Sequence, residues 1–197
     1  MSQKEERKGR PLAEMRGLAE RFIYMIEGRA DRTMICGSIR RQKPEPKDID
    51  IVAIPRYEKV SRETAFGFSM TATENLLKTG VDQMIVEGLA KPRIKIDGTT
   101  MVGDAVAFLE FEGVALDIYY ATPETWWGLV QMRTGSAQFN ARLATYALNL
   151  GLRYHGDGKG ITKTDGHGGD IRIDDGLSEE SIMKAVGINY VPPEKRD

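Results

Sequence analysis

The segment Asp48-Ile49-Asp50-Ile51-Val52-Ala53-Ile54 carries two acidic side chains at the start of an otherwise apolar run. Side chains two positions apart point to the same face of a β-strand, so Asp48 and Asp50 share one face. The alternating apolar residues Ile49, Ile51 and Ala53 are then free to pack on helices behind the strand. Adjacent carboxylates repel each other unless a cation lies between them, which indicates a divalent metal site. A solvated strand is the alternative for this pattern taken alone.

A third acid lies in a similar apolar setting further along the chain. Asp117 stands between Leu116 and Ile118, in a run over residues 113–120 whose alternation predicts another strand. Three carboxylates on adjacent strands of one sheet can hold two Mg²⁺ ions about 3.5–4 Å apart, the arrangement used in phosphoryl transfer.

A glycine-serine turn precedes the first acid. Gly37-Ser38-Ile39-Arg40-Arg41 follows the short apolar run 32–36, which predicts a strand that ends at the turn. Such a turn brings backbone N–H groups and a hydroxyl close to a triphosphate, and an arginine supplies donors for the charge on leaving pyrophosphate.

Together these motifs resemble the palm of the polymerase-beta-like nucleotidyltransferases. The segment Thr134-Gly135-Ser136-Ala137-Gln138-Phe139-Asn140 resembles the nucleotide-binding segment that opens the thumb of family X DNA polymerases. The closing Gly187-Ile-Asn-Tyr-Val-Pro-Pro-Glu-Lys-Arg196 is similar to the end of that thumb. The resemblance runs from about residue 15 to the C-terminus and keeps the order of the motifs. It implies an α+β fold, with a mixed, mostly antiparallel palm sheet that has helices on one face, followed by a small α/β thumb.

The resemblance also implies a role for each matching position. Asp48 and Asp50 would bind both metal ions, and Asp117 would bind the catalytic metal and help to deprotonate the primer 3′-hydroxyl. The cofactor is Mg²⁺, two ions, with Mn²⁺ able to substitute. The residues expected to bind the nucleotide are Gly37, Ser38, Arg41, Thr134, Gly135 and Asn140. Further nucleotide or DNA contacts are expected from Arg40, Met132, Arg133 and Arg142.

The implied reaction is attack of a DNA primer 3′-hydroxyl on the α-phosphorus of a nucleoside triphosphate, as in gap filling or repair. The partners are the nucleoside triphosphate and a primer-template or gapped DNA, with the protein acting as a monomer. Two alternatives stay open: a template-independent or small-molecule nucleotidyltransferase, and a non-catalytic DNA-binding module. The first is favoured by Met132-Arg133, which stands where family X enzymes place an aromatic pair.

Helix-breaking residues and the spacing of apolar residues predict where the chain divides into regions. Residues 1–10 are charged and aperiodic, which predicts a disordered tail, and the palm is expected over 11–121 and the thumb over 122–197. A helix is expected within residues 61–78, begun by a capping box of Thr71 and Glu74. Antiparallel strands are then expected at 83–87, 93–97, 101–110 and 113–120.

Composition excludes several protein classes. The 197 residues contain 28 Lys and Arg against 29 Asp and Glu, a net charge of −1, which disfavours coating of nucleic acid by bulk charge. Residues 1–60 nevertheless hold 14 basic and 10 acidic side chains, an excess of +4 suited to a phosphate-rich ligand or to a solvated surface. The single cysteine, Cys36, cannot close an intramolecular disulfide, and no apolar run approaches the roughly 20 residues of a membrane span. An intracellular protein without membrane contact is expected.

Overall fold

The computed structural model describes residues 8–63, 68–95 and 97–197. Up to residue 121, the described chain forms three helices and seven strands. In chain order these are α1 (Leu12–Met25), β1 (Ala30–Ile35), α2 (Gly37–Arg40), β2 (Asp48–Pro55), β3 (Tyr57–Glu63), β4 (Ser69–Asn75), α3 (Leu76–Val86), β5 (Ala90–Pro92), β6 (Val106–Phe111) and β7 (Val114–Tyr120).

The C-terminal region, residues 122–197, adds three helices, three short strands and a 3₁₀ turn at Pro193–Lys195. These helices and strands are α4 (Trp126–Thr134), α5 (Ala137–Asn149), β8 (Arg153–His155), β9 (Gly160–Thr164), β10 (Asp170–Arg172) and α6 (Glu179–Ala185).

A five-stranded sheet in the order β1-β2-β7-β6-β5 organises the first region. Strands β2 and β7 run parallel, whereas the other three pairs are antiparallel. The sheet is therefore mixed and mostly antiparallel, as the resemblance implies for an α+β fold.

Helices of the first region pack on one face of this sheet, as the resemblance implies, and α4 of the C-terminal region covers the other face. On one face, α1 and α3 pack against the alternating apolar side chains of β2 and β7, including Ile49, Ile51 and Leu116. On the other face, Trp126 and Val130 of α4 pack against Val52 and neighbouring side chains. The reason is that β2 carries apolar residues beyond its acids, so Val52 and Ile54 also need a cover.

The core of the C-terminal region lies between α5, β9 and α6. Its buried members are Phe139, Leu143, Ala147, Ile161, Ile182, Met183 and Val186. Half-buried Trp127 packs against both this cluster and the one beneath α4, so it links the two regions. The boundary expected at residue 121 stays a prediction, and the cluster beneath α4 contains residues from both sides of it.

The expected helix within residues 61–78 is wrong over most of its length. Residues 57–63 and 69–75 form an antiparallel β-hairpin, and the helix α3 begins only at Leu76. Its N-cap is Asn75, whose side chain accepts a hydrogen bond of 2.9 Å from the backbone N–H of Lys78. The helix continues through residues 83–86, where a strand was expected, because Leu77, Val81 and Met84 repeat at helical spacing and are all buried.

The N-terminal tail expected over residues 1–10 lies mostly outside the described residues. At its end the chain is fixed, since the backbone N–H of Arg10 donates to Pro46 O at 3.1 Å. Among the residues described, no helix combines the length and the apolar character needed to cross a membrane.

Candidate active site

The three acids predicted from sequence meet on one face of the sheet. In the parallel pairing of β2 with β7, Asp50 lies directly opposite Asp117, and Asp48 lies opposite Ala115. The face is the one turned away from α1 and α3, because the apolar residues that alternate with the acids are buried against those helices. All three acids are half-buried at the edge of the covered area.

The surroundings of Asp50 disfavour the ionised form of its carboxyl. Burial raises the pKa of its carboxyl to about 7, and repulsion by Asp48 and Asp117 adds to that effect, whereas Arg133 and Arg41 oppose it. At Asp50, burial and repulsion by the other two carboxylates therefore outweigh the attraction of these two guanidinium groups.

The glycine of the Gly-Ser turn lies directly against Asp50. The backbone N–H of Cys36 donates to Asp50 O at 2.7 Å, which fastens the end of β1 to β2 at this position. Gly37 follows with φ of +59°, and a Cβ built on it falls 2.0 Å from Asp50 Oδ2. Only glycine fits both the left-handed backbone and the close approach of the carboxylate.

Replacing Gly37 by alanine is expected to displace the Asp50 carboxylate and to lower the free energy of unfolding by about 1–3 kcal/mol. The matched control is Gly17→Ala within α1, where the nearest atom to a new Cβ is Arg21 Nη1 at 3.9 Å. That control is expected to raise stability by about 0.5–1 kcal/mol. Urea unfolding of both variants checks the pair, and equal effects would contradict the role of Gly37.

The neighbouring Ser38 offers a hydroxyl to this corner. Ser38 Oγ is buried and forms no hydrogen bond with any residue that the structure describes. Buried hydroxyls are ordinarily satisfied, so an unsatisfied one next to Gly37 is typical of a group that binds a ligand.

Arg41 joins the Gly-Ser turn to the end of α4. Its Nη1 donates to the backbone carbonyl of Thr134, and a Cβ on Gly135 would lie 3.2 Å from the same nitrogen. Burial lowers the pKa of Arg41, whereas Asp197, Asp50 and Asp48 act in the opposite sense. Arg41 Nε is buried without a hydrogen-bond partner among the described residues. Arg41 thus keeps donor capacity next to the acids.

Asn140, in the first turn of α5, faces the last turn of α4. Its Nδ2 donates to Met132 O at 2.8 Å and lies 3.3 Å from Met132 Sδ. Asn140 Oδ1 is buried and accepts no hydrogen bond from the described residues. The bond to Met132 fixes the orientation of the amide and leaves its oxygen available as an acceptor. Ser136 caps α5 by accepting from the Phe139 N–H at 3.2 Å, after a cis peptide between Gly135 and Ser136.

Two arginines near the acids each lie over an aromatic ring. The Arg133 guanidinium lies 3.9 Å from the centre of the Tyr119 ring, and that of Arg93 lies 5.2 Å from the centre of the Phe108 ring. The two rings meet edge to face, with centres 5.7 Å apart. Arg93 Nη2 also lies 2.8 Å from Asp117 Oδ1. Nothing in the sequence marks Arg93 as a site residue, because it stands in a loop after β5 with no motif around it.

Two of the predicted contact residues form hydrogen bonds within the protein. Arg40 forms a two-pronged ion pair with Glu179 of α6, at 2.9 and 2.5 Å, and donates to Thr134 Oγ1 at 2.6 Å. Arg142 donates to Asp197 O at 2.6 Å, on the outer side of α5. Arg40 is therefore occupied in holding α2 to the C-terminal region.

The three acids have donor atoms suited to a metal ion, but their side chains are not arranged around one in this structure. As the side chains lie, the described part of the chain contains no group of three or more His, Cys, Asp or Glu arranged to hold a metal ion. Asp117 is ion-paired with Arg93 instead. Carboxylate oxygens are nevertheless the donors that Mg²⁺ and Mn²⁺ prefer. The charge concentrated around Asp50 is of the kind that a divalent cation relieves.

Residues 129–197 match the family model of the DNA polymerase beta thumb. The match begins within α4 and takes in the segment that carries Thr134, Gly135 and Asn140. No curated protein gives a significant match to the chain. The C-terminal region is thus related to a polymerase thumb, which indicates a DNA-binding function connected with polymerases.

Proposed function

We propose that the protein transfers nucleotides from nucleoside triphosphates to the 3′-hydroxyl of a DNA primer, as family X DNA polymerases do. The observation that carries the proposal is the pairing of Asp50 with Asp117, with Asp48 on the same face, beside a segment that matches a polymerase thumb. A thumb supplies contacts to DNA, and an acid triad supplies the chemistry of phosphoryl transfer. The sheet region then acts as the palm.

In this proposal, Asp48, Asp50 and Asp117 hold Mg²⁺, or Mn²⁺ in its place. When bound, the metal neutralises charge on the phosphates and lowers the pKa of the attacking hydroxyl. Asp117 accepts the proton of that hydroxyl as the bond to the α-phosphorus forms and the bond to pyrophosphate breaks. Arg93, which contacts Asp117, holds this carboxylate in place.

The phosphates of the nucleotide are assigned to the Gly-Ser turn. Ser38 Oγ has a free donor within the described structure, and Arg41 adds a guanidinium whose Nε is unsatisfied there. Forked cationic donors stabilise the charge that grows on leaving pyrophosphate. Asn140 Oδ1 is assigned to the edge of the incoming base.

Extension of a gapped duplex tests the proposal. We expect purified protein to add deoxynucleotides in Mg²⁺ or Mn²⁺, to select the nucleotide complementary to the template, and to stop when EDTA is added. Addition of equal efficiency with the template strand omitted would favour a template-independent transferase. Tight binding of gapped DNA without any extension would leave only a DNA-binding module.

Asn140→Ala is expected to raise the KM for the nucleotide about tenfold, because one hydrogen bond in a site contributes about 1–1.5 kcal/mol. The kcat is expected to change less, since the acids are untouched. Gln138→Ala, on the exposed side of the same helical turn, is the control and should leave both constants unchanged. Steady-state single-nucleotide incorporation measures both; an unchanged KM in Asn140→Ala contradicts the assignment.

A further inference from the structure

A groove of about 740 Å³ lies on the first region, next to the acids. Its walls come from the segment before α1, the residue before β2, the loop after β5, and the turn between β6 and β7. Four of the lining side chains are basic: Lys8, Arg10, Lys47 and Arg93. Glu14 and Glu110 are the acidic ones.

One end of the groove lies next to the acid triad. Lys47 immediately precedes Asp48, and the lining residue Ala115 lies opposite Asp48 in the pairing of β2 with β7. Arg93 both lines the groove and contacts Asp117 at 2.8 Å. The groove and the triad are therefore neighbours, with Arg93 at the boundary between them.

The far wall is built by specific contacts and is not a loose tail. Arg10 pairs with Glu14 at 3.1 Å, and its backbone N–H donates to Pro46 O at 3.1 Å. A Cβ on Gly9 would lie 2.6 Å from Glu45 O, so the two backbones touch there. These contacts hold Lys8 and Lys47, both exposed, on the same groove.

We propose that this groove binds the phosphodiester backbone of the primer strand just upstream of its 3′ end. The inference rests on the proposed function, because that function fixes the 3′-hydroxyl at the acids, where the groove ends. Positive side chains spaced along a groove contact phosphates without regard to base sequence, so they fix the position of a strand. The phosphodiester backbone is thus the ligand that we propose for the excess of basic side chains in residues 1–60.

Binding of a fluorescent gapped duplex to catalytically intact protein tests the groove without need of extension. Lys8→Gln and Lys47→Gln are each expected to weaken binding several-fold and to reduce the salt slope, log K against log[salt], by about 0.7–0.9. Lys78→Gln is the control, since it removes the same charge from α3, which contributes no residue to the lining of the groove. Both groove lysines are exposed, and thermal melting verifies that their variants are folded. Unchanged affinity and slope in both groove variants would overturn the proposal.

Neutral phosphates identify which strand is bound. Single methylphosphonate linkages are placed in turn at upstream primer positions and at template positions of the same duplex. At one or more primer positions, the linkage is expected to weaken wild-type binding but to have little further effect on Lys47→Gln. The same coupling at template positions alone would refute primer binding. Wild-type protein that shows the primer coupling yet never extends it would contradict the proposed function and keep the groove as a strand-binding site.

Discussion

Asp50→Asn is expected to reduce primer extension by about a thousandfold or more and, at the same time, to make the metal-free protein more stable. The loss of activity follows from removing one of the carboxylates assigned to the metal. Metal ions contribute several kcal/mol of transition-state stabilisation, and each 1.4 kcal/mol is about a factor of ten in rate. Asparagine keeps the shape of the side chain and removes only its charge.

The gain in stability follows from the electrostatics of the same carboxyl. Its folded pKa of about 7 lies well above that of an exposed aspartate, so the folded state favours the protonated, neutral form. At neutral pH the ionised carboxylate therefore lowers the free energy of unfolding. A neutral side chain avoids both the cost of burying a charge and the repulsion by Asp48 and Asp117. We expect the variant to gain about 1–2 kcal/mol, less than the full shift implies, because the amide is also polar and buried.

Urea unfolding in EDTA at neutral pH measures the stability, and single-nucleotide incorporation measures the rate. The control is Asp82→Asn, an exposed residue whose ion pair with Lys78 is of the kind that contributes less than about 1 kcal/mol. It is expected to change neither quantity appreciably. A less stable Asp50→Asn with full activity would show that Asp50 is a structural residue, and would remove the acid triad from the proposal.

Features of this site that depend on neighbouring residues in the chain can be predicted from the sequence, whereas features that depend on distant residues cannot. The shared face of Asp48 and Asp50 is a local consequence of strand geometry, and the structure agrees. The position of Asp117 on the adjacent strand was also expected, although a parallel partner cannot be recognised from alternation alone. Arg93 could not be assigned, because its approach to Asp117 depends on the order of strands in the sheet.

The wrong secondary-structure predictions outside the site fall on residues that suit both a helix and a strand. Residues 69–75 contain Thr71, Thr73 and Glu74, which suit a helix start as well as a strand. Pairing with residues 57–63 decides for the hairpin, and that pairing is invisible in the segment itself. Gly80, which stands just after the end of the helix expected within residues 61–78, lies inside α3, where a Cβ would come within 2.5 Å of Arg29 Cδ. Close packing against Arg29, and not the end of a helix, accounts for this glycine.

Glu179→Gln is expected to be among the most destabilising single changes in the chain. The carboxylate of Glu179 is buried between two guanidinium groups, at 2.5 Å from Arg40 Nη2 and 2.6 Å from Arg196 Nη1. Arg196 is fully buried, so removing the one negative charge leaves two positive charges with little solvent. Breaking a buried pair in this way costs about 3–5 kcal/mol. The cluster joins α2 to α6, so the loss should also loosen the C-terminal region from the sheet.

The adjacent Glu180 provides the control. It is exposed in the same first turn of α6, and Glu180→Gln is expected to cost about 0.5 kcal/mol through the helix dipole. Urea unfolding gives both values. Limited proteolysis reports whether the C-terminal region opens first. Equal costs for the two variants would mean that the buried cluster contributes nothing to stability.

Acid provides a second test of the same cluster. Burial acts to raise the pKa of Glu179, but hydrogen bonds from Arg40 and Arg196 outweigh it, and the pKa is lowered overall. An acid with a lowered folded pKa stabilises the protein above its unfolded pKa, about 4.3, and that contribution is lost as the pH falls through the folded value. The difference in stability between wild type and Glu179→Gln should therefore be full at neutral pH and shrink below about pH 4. A difference that stays constant into strong acid would place its origin in packing, because only the ionised carboxylate can be titrated away.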